Sequence, residues 1–198
     1  MYLEQQLGEL SELLAACKET SLAAAQEAVR LTAQAIGAVS YTHLTLPTNR
    51  ECGNGGSAAT ASHIANDLSC HMKNWQRDAY RIVCLNDSPA VLTSMTNDYG
   101  FEHVFEKPLL GLADAGDVLW GFSTSGNSGN VVAAVEAARA HNILTVGFTG
   151  KRGGKLRDLV DVWVPTPSDD VIQVENLHLI LAHAIAVSVE AIVSPMQK

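Results

Sequence analysis

Downstream of Gly53 the chain alternates repeatedly between short β-branched runs and stretches with helical spacing. Residues 81–85, 118–122, 144–148 and 162–164 have the length and residue types of strands, and helical patterns occupy residues 58–72, 89–97, 131–140 and 154–159 between them. Successive strands joined through helices pair in parallel by right-handed crossovers, which cover both faces of the sheet with helices. The alternation therefore predicts an α/β protein built on a parallel sheet. A final helix is expected over about residues 171–193.

Leucine and alanine recur at helical spacing before the alternation begins: Leu3, Leu7, Leu10 and Leu14, then Leu22, Ala25, Val29, Ala33 and Ile36. Thr20 and Ser21 are competent N-caps, so this stretch splits into two helices. With 198 residues the chain has the length of one domain. The division expected is residues 1–39 as N-terminal helices, part of the same domain and of an oligomer interface, followed by residues 40–198. Only 17% of residues are charged, and a surface so lean in charge suits partial burial by another subunit. The formal charge of −8 disfavours nucleic acid and anionic membranes as partners, because neutralising phosphates needs clustered Lys and Arg. Residues 177–193 are apolar, but they are short for a membrane span and carry His178, His183, Ser188 and Glu190, so a buried or interfacial helix fits better. Cys17, Cys52, Cys70 and Cys84 have no CxxC spacing and follow no secretory leader, which reads as reduced thiols in the cytoplasm.

Residues 40–51 (SYTHLTLPTNRE) break the pattern. They stand where a hydrophobic strand should lead into Gly53, yet they are polar, rich in Thr and interrupted by Pro47. Two readings stay open: an unusual loop or edge strand, or a segment foreign to the fold, such as a junction introduced during sequencing or assembly.

Two turns carry candidate chemistry. Gly53-Asn54-Gly55-Gly56-Ser57 precedes a helix, and its glycines let backbone N–H groups approach an anion, although a tight strand-to-helix connection would also use them. Ser123-Thr124-Ser125-Gly126-Asn127-Ser128 joins the strand at Val118 to the helix at Val131. Its hydroxyls and backbone donors form a neutral cradle for phosphate, and without a Walker lysine it suits a phosphosugar better than a nucleoside triphosphate. His63 and Asp67 lie four apart on one helical face, either converging on one proton or metal ion or forming an ordinary surface pair. Glu175, His178 and His183 lie on the last helix, where His178 reads as a core histidine. Asn97-Asp98-Tyr99-Gly100-Phe101 is a polar turn that either binds sugar hydroxyls or caps helices.

The order GNGGSAA, HIANDL, NDYGFEHVF, GDVL, STSGNS, TGKRGGKL and PSDD, closed by a helix with His183, resembles the phosphoheptose (sedoheptulose-7-phosphate) isomerases of the sugar isomerase (SIS) domain superfamily. The likeness covers about residues 53–190 and extends to the two N-terminal helices. It implies a three-layer fold around a five-stranded parallel sheet, a homotetramer with active sites between subunits, and interconversion of sedoheptulose 7-phosphate with D-glycero-D-manno-heptose 7-phosphate, leading to bacterial surface heptose. It assigns substrate and phosphate contacts to Asn54, Gly55, Gly56, Asn97, Asp98, Ser123, Thr124, Ser125 and Ser128, with Ser57 completing the first turn. The family's two histidines fall on His63 and His183. Two positions depart: the glutamate four after the first histidine is Asp67 here, and the glutamine eight before the last is Glu175.

An aldose–ketose isomerisation moves a proton between adjacent carbons through an enediol and needs a base, a partner acid and stabilisation of the enediolate. On this resemblance Asp67 and His183 are the catalytic pair, with Glu175 a substrate contact. Some members hold zinc at these positions, so His63, Asp67, Glu175 and His183 are the expected Zn²⁺ ligands, a chemically suitable set. Eight helical residues rise about 12 Å, so Glu175 and His183 of one chain are poorly placed to share one atom, and neighbouring subunits would solve this. The shorter Asp67 puts the catalytic reach in question. A second function from another class is a non-catalytic phosphosugar-binding or replication-initiator-binding SIS protein.

Overall fold

The computed structural model describes residues 2–37, 49–69 and 80–193. Helices α1 (Tyr2–Thr20) and α2 (Leu22–Gly37) precede the sheet, split at Ser21, whose hydroxyl donates to the Pro165 carbonyl at 2.7 Å. Then follow β1 (Asn49–Cys52), α3 (Gly56–Ser69), β2 (Ile82–Cys84), α4 (Pro89–Tyr99), a 3-10 turn at Phe101–His103, α5 (Glu106–Leu112), β3 (Val118–Ser123), α6 (Gly129–Ala140), β4 (Leu144–Thr149), α7 (Leu156–Leu159), β5 (Val162–Pro165) and α8 (Val171–Val193). All pairings are parallel, in the order β2-β1-β3-β4-β5.

Side-chain alternation along β3 sorts the two faces. Val118, Trp120 and Phe122 join Ile64, Leu68, Ile185 and Val189 in a core under α2, α3 and α8. Leu119 points the other way, into a core with Val131, Val135, Leu109 and Leu156. Gly121 lies on that second face, where a Cβ would sit 3.0 Å from the Val131 side chain, so glycine lets α6 press onto the strand. Every position of β3 is buried, as expected for a strand covered on both faces. The Trp120 indole N–H donates to the Thr32 hydroxyl at 3.2 Å and ties α2 to the sheet.

The 40–51 reading needs correcting at its C-terminal end. Asn49, Arg50 and Glu51 are an internal strand, paired with β2 on one side and β3 on the other, and not a loop or an edge. Arg50 and Glu51 are buried there. The Arg50 guanidinium is accommodated because it donates to the Leu112 carbonyl and lies 3.6 Å from the buried Asp117 carboxylate. Residues 40–48 lie outside the described residues. α5 is an element that periodicity did not reveal, since seven residues containing Pro108 and Gly111 show no repeat.

Among the described residues α8 is the one helix long and apolar enough to cross a membrane. Val174, Leu177, Ile185 and Val189 are nonetheless buried, on a face that packs against α2 and α3. Cys17, Cys52 and Cys84 are buried free thiols. Cys70 is outside the described residues.

Candidate active site

The chain runs outward from the centre of the sheet in both directions, β1 to β2 and β3 to β4 to β5. Neighbouring strands β1 and β3 therefore send their following loops apart and leave a crevice at their carboxyl ends. The GNGGS turn follows β1 and the STSGNS turn follows β3, so topology alone brings the two glycine- and hydroxyl-rich turns to one place.

Each turn is held by bonds from its neighbours. Asn86, just past β2, accepts from the Gly53 N–H at 3.2 Å and donates to the Gly53 carbonyl at 2.8 Å. Gly55 has φ of +54°, which favours glycine. The Glu175 carboxylate lies over Gly56 at the start of α3, so close that a Cβ at Gly56 would overlap it. Ser57 is buried. The Asn54 and Asn130 amides bond reciprocally, 2.8 Å in each direction.

In the second turn the Ser123 and Ser128 hydroxyls are 2.8 Å apart, Ser123 is buried, and Ser125 Oγ accepts from the Asn127 N–H at 3.1 Å. Thr124 is half-buried and Ser125 exposed. The TGKRGGK loop clasps this turn: Lys155 N–H donates to Asn127 Oδ1 at 3.0 Å, and Gly150 N–H to the Thr124 carbonyl at 2.9 Å. Gly126, at φ +67°, packs so tightly that a Cβ would overlap the Gly153 carbonyl.

The ionisable residues converge where α3 packs on α8. His183 Nε2 is 2.9 Å and His63 Nε2 3.4 Å from the same Asp67 oxygen, and the two rings meet edge to face at 4.9 Å. His63 is half exposed, whereas Asp67 and His183 are more enclosed. The shorter Asp67 thus keeps contact with His183 because the helices lie close. One donor atom from each of these three residues falls within 4.8 Å of the others. An Asp carboxylate and two imidazoles are donor types that Zn²⁺ takes, and tetrahedral ligands at about 2.0–2.1 Å stand about 3.3 Å apart, close to the 2.9 and 3.4 Å that separate Asp67 Oδ2 from the two imidazole nitrogens. Glu175 is not in this group; it lies two helical turns earlier, against Gly56.

Asn97 and Asp98 are exposed at the end of α4, where the Asn97 amide donates to Asp98 Oδ1 at 2.8 Å. Gly100 closes that helix by donating to the Thr96 carbonyl, so the turn does cap α4. His178 is a core residue, fully buried beside Phe122 and Phe148, and burial pushes its pKa down to about 4 against an opposing pull from the Thr149 backbone. Sequence reading missed Asn86 and Asn130. Their signal was an Asn just after a strand and an Asn opening a helix, both at the carboxyl edge of the sheet.

Fold and site together define a SIS domain protein, and the model of that domain matches residues 7–150. The chain is 42% identical over 134 residues to the phosphoheptose isomerase of Aliarcobacter butzleri (strain RM4018), covering 68% of this chain and 70% of that protein. It is 40% identical over 164 residues to that of Bradyrhizobium sp. (strain ORS 278), covering 83% and 80%. Among solved structures, phosphoheptose isomerase GmhA from Neisseria gonorrhoeae superposes with a TM-score of 0.83 at 31% identity, covering 96% of this chain and 100% of that one. The chain belongs to the phosphoheptose isomerase family of SIS domain proteins.

Proposed function

We propose that this protein interconverts sedoheptulose 7-phosphate and D-glycero-D-manno-heptose 7-phosphate. The observation that carries the reading is the Asp67 carboxylate held between His63 and His183, on the helix that opens at the GNGGS turn. Asp67 takes a proton from C1 of the ketose while His183 donates one to the C2 oxygen, giving the enediol. The carbon-bound proton then returns to C2 as His183 recovers a proton from the C1 oxygen, and the aldose forms. Ser123, Thr124, Ser125 and Ser128 hold the phosphate with Asn54, Gly55, Gly56 and Ser57. Asn97, Asp98 and Glu175 bind sugar hydroxyls.

His63, Asp67 and His183 would hold Zn²⁺, with Glu175 completing the set only across an assembly. When bound, the ion supplies Lewis-acid polarisation of the substrate oxygens. The two N-terminal helices belong to the same domain, and the protein is a homotetramer of the cytoplasm supplying heptose for bacterial surface polysaccharide. Exposed Leu3 and Leu7 on α1, with Val171 and Ile172 on α8, support assembly. The non-catalytic alternative is not favoured, since the matching relatives are named as isomerases.

Turnover of sedoheptulose 7-phosphate by the purified protein tests the reading, with and without added Zn²⁺. Aldose is expected to form faster with the ion and more slowly after chelation. No product in any condition overturns the isomerase assignment, and indifference to chelation overturns the metal.

A further inference from the structure

The bond between Asn54 and Asn130 joins the two turns across the crevice, from positions 76 residues apart in sequence. A pair of primary amides is symmetric: flipping both side chains preserves both hydrogen bonds, so the pair alone does not fix which end of Asn54 is oxygen. A third bond removes the degeneracy. The Val131 backbone N–H donates to Asn130 Oδ1 at 3.0 Å, so Oδ1 must be the acceptor, and Asn130 is only 2% exposed. Asn54 must therefore donate one Nδ2–H to Asn130 Oδ1 and accept from Asn130 Nδ2, with its second Nδ2–H directed out of the pair. The first turn of α6 thus dictates the orientation of a side chain on the other loop.

We infer that Asn130 is a positioning residue for the isomerisation: through the reciprocal amide pair it holds the GNGGS turn against the STSGNS turn and fixes the Asn54 amide so that its remaining N–H donates to the sugar phosphate. The inference rests on the proposed function, in which Asn54 touches substrate. Asn130 itself makes no substrate contact.

A double-mutant cycle over Asn54→Ala, Asn130→Ala and the double variant tests it, read as KM and kcat for sedoheptulose 7-phosphate and as calorimetric affinity for the same compound. Asn130→Ala should raise KM about five- to thirty-fold, the worth of one or two hydrogen bonds, with a smaller change in kcat. The double variant should then match Asn54→Ala alone, because Asn130 acts through that side chain. Additive losses, or a lower melting temperature with KM unchanged, overturn the positioning role and leave the isomerase reading intact. Failure of the wild type both to bind and to turn over the sugar sinks the functional reading, and the inference with it. A measurement on the wild type needs no variant: the Asn54 side-chain NH₂ resonances should shift on titration with sedoheptulose 7-phosphate and those of Asn130 far less. Unmoved Asn54 resonances overturn the inference even if every Asn130 variant fails to fold.

Discussion

Asp67 shows how much one methylene matters when helix packing sets the distance. The carboxylate meets His183 at 2.9 Å because α3 and α8 lie in contact, so the shorter side chain loses nothing toward that partner. His183→Ala should reduce turnover by roughly 10²- to 10⁴-fold, the usual worth of a positioned acid or base. Asp67→Glu should raise turnover if reach toward substrate is limiting, and steady-state kinetics on both variants decides. His178 gives a second prediction at this scale. Its pKa is about 4 in the fold and near 6.5 unfolded, so between those values the unfolded chain binds a proton that the fold excludes. Its contribution is complete above pH 6.5 and is lost as pH falls toward 4, by about 3 kcal/mol in all. Thermal unfolding from pH 4 to 7 should show that slope in the wild type and a shallower one in His178→Leu.

At the scale of elements, β1 is the instructive strand. Its residues are polar, but pairing on both sides satisfies its backbone, and the Leu85 N–H extends the ladder to the Glu51 carbonyl at 2.9 Å. Amides at Arg50–Cys52 should therefore exchange slowly, on the timescale of β3; fast exchange would restore the reading of this stretch as foreign to the sheet. Burial holds the Arg50 guanidinium below its ordinary pKa, opposed by Asp117. Removing that partner by Asp117→Ala strands a buried cation and should cost about 3–5 kcal/mol in chemical denaturation. The turn after β3 makes a different prediction: Ser123→Ala with Thr124→Ala should weaken phosphosugar binding by about 2–4 kcal/mol, at about 1–2 kcal/mol for each lost bond. Unchanged calorimetric affinity would remove this turn from the phosphate site.

For the whole molecule, the first and last helices both carry strongly exposed apolar side chains. Leu3 is 70% and Leu7 59% exposed on α1, and Ile172 is 66% exposed on α8. Sedimentation of the wild type should give the mass of a tetramer, and Leu3→Glu combined with Leu7→Glu should shift it to smaller species. A monomeric wild type would remove the assembly from the proposed function.

The sequence by itself determined the local terms. Strand and helix alternation, the split at Ser21 and the glycine-bearing turns are written in residues close together, because side-chain periodicity, caps and φ preferences act within a few positions. His178 as core and His63 with Asp67 on one face were legible for the same reason. What only the tertiary structure decided depends on which strands become neighbours. The order β2-β1-β3-β4-β5 brings Asn54 to Asn130, and the packing of α3 on α8 selects His183 to join His63 and Asp67 while leaving Glu175 over Gly56. It also made an internal strand of Asn49–Cys52, whose polar residues argued otherwise. A buried arginine is accommodated there with Leu112 and Asp117 meeting it from more than sixty residues away, a compensation that no local pattern encodes.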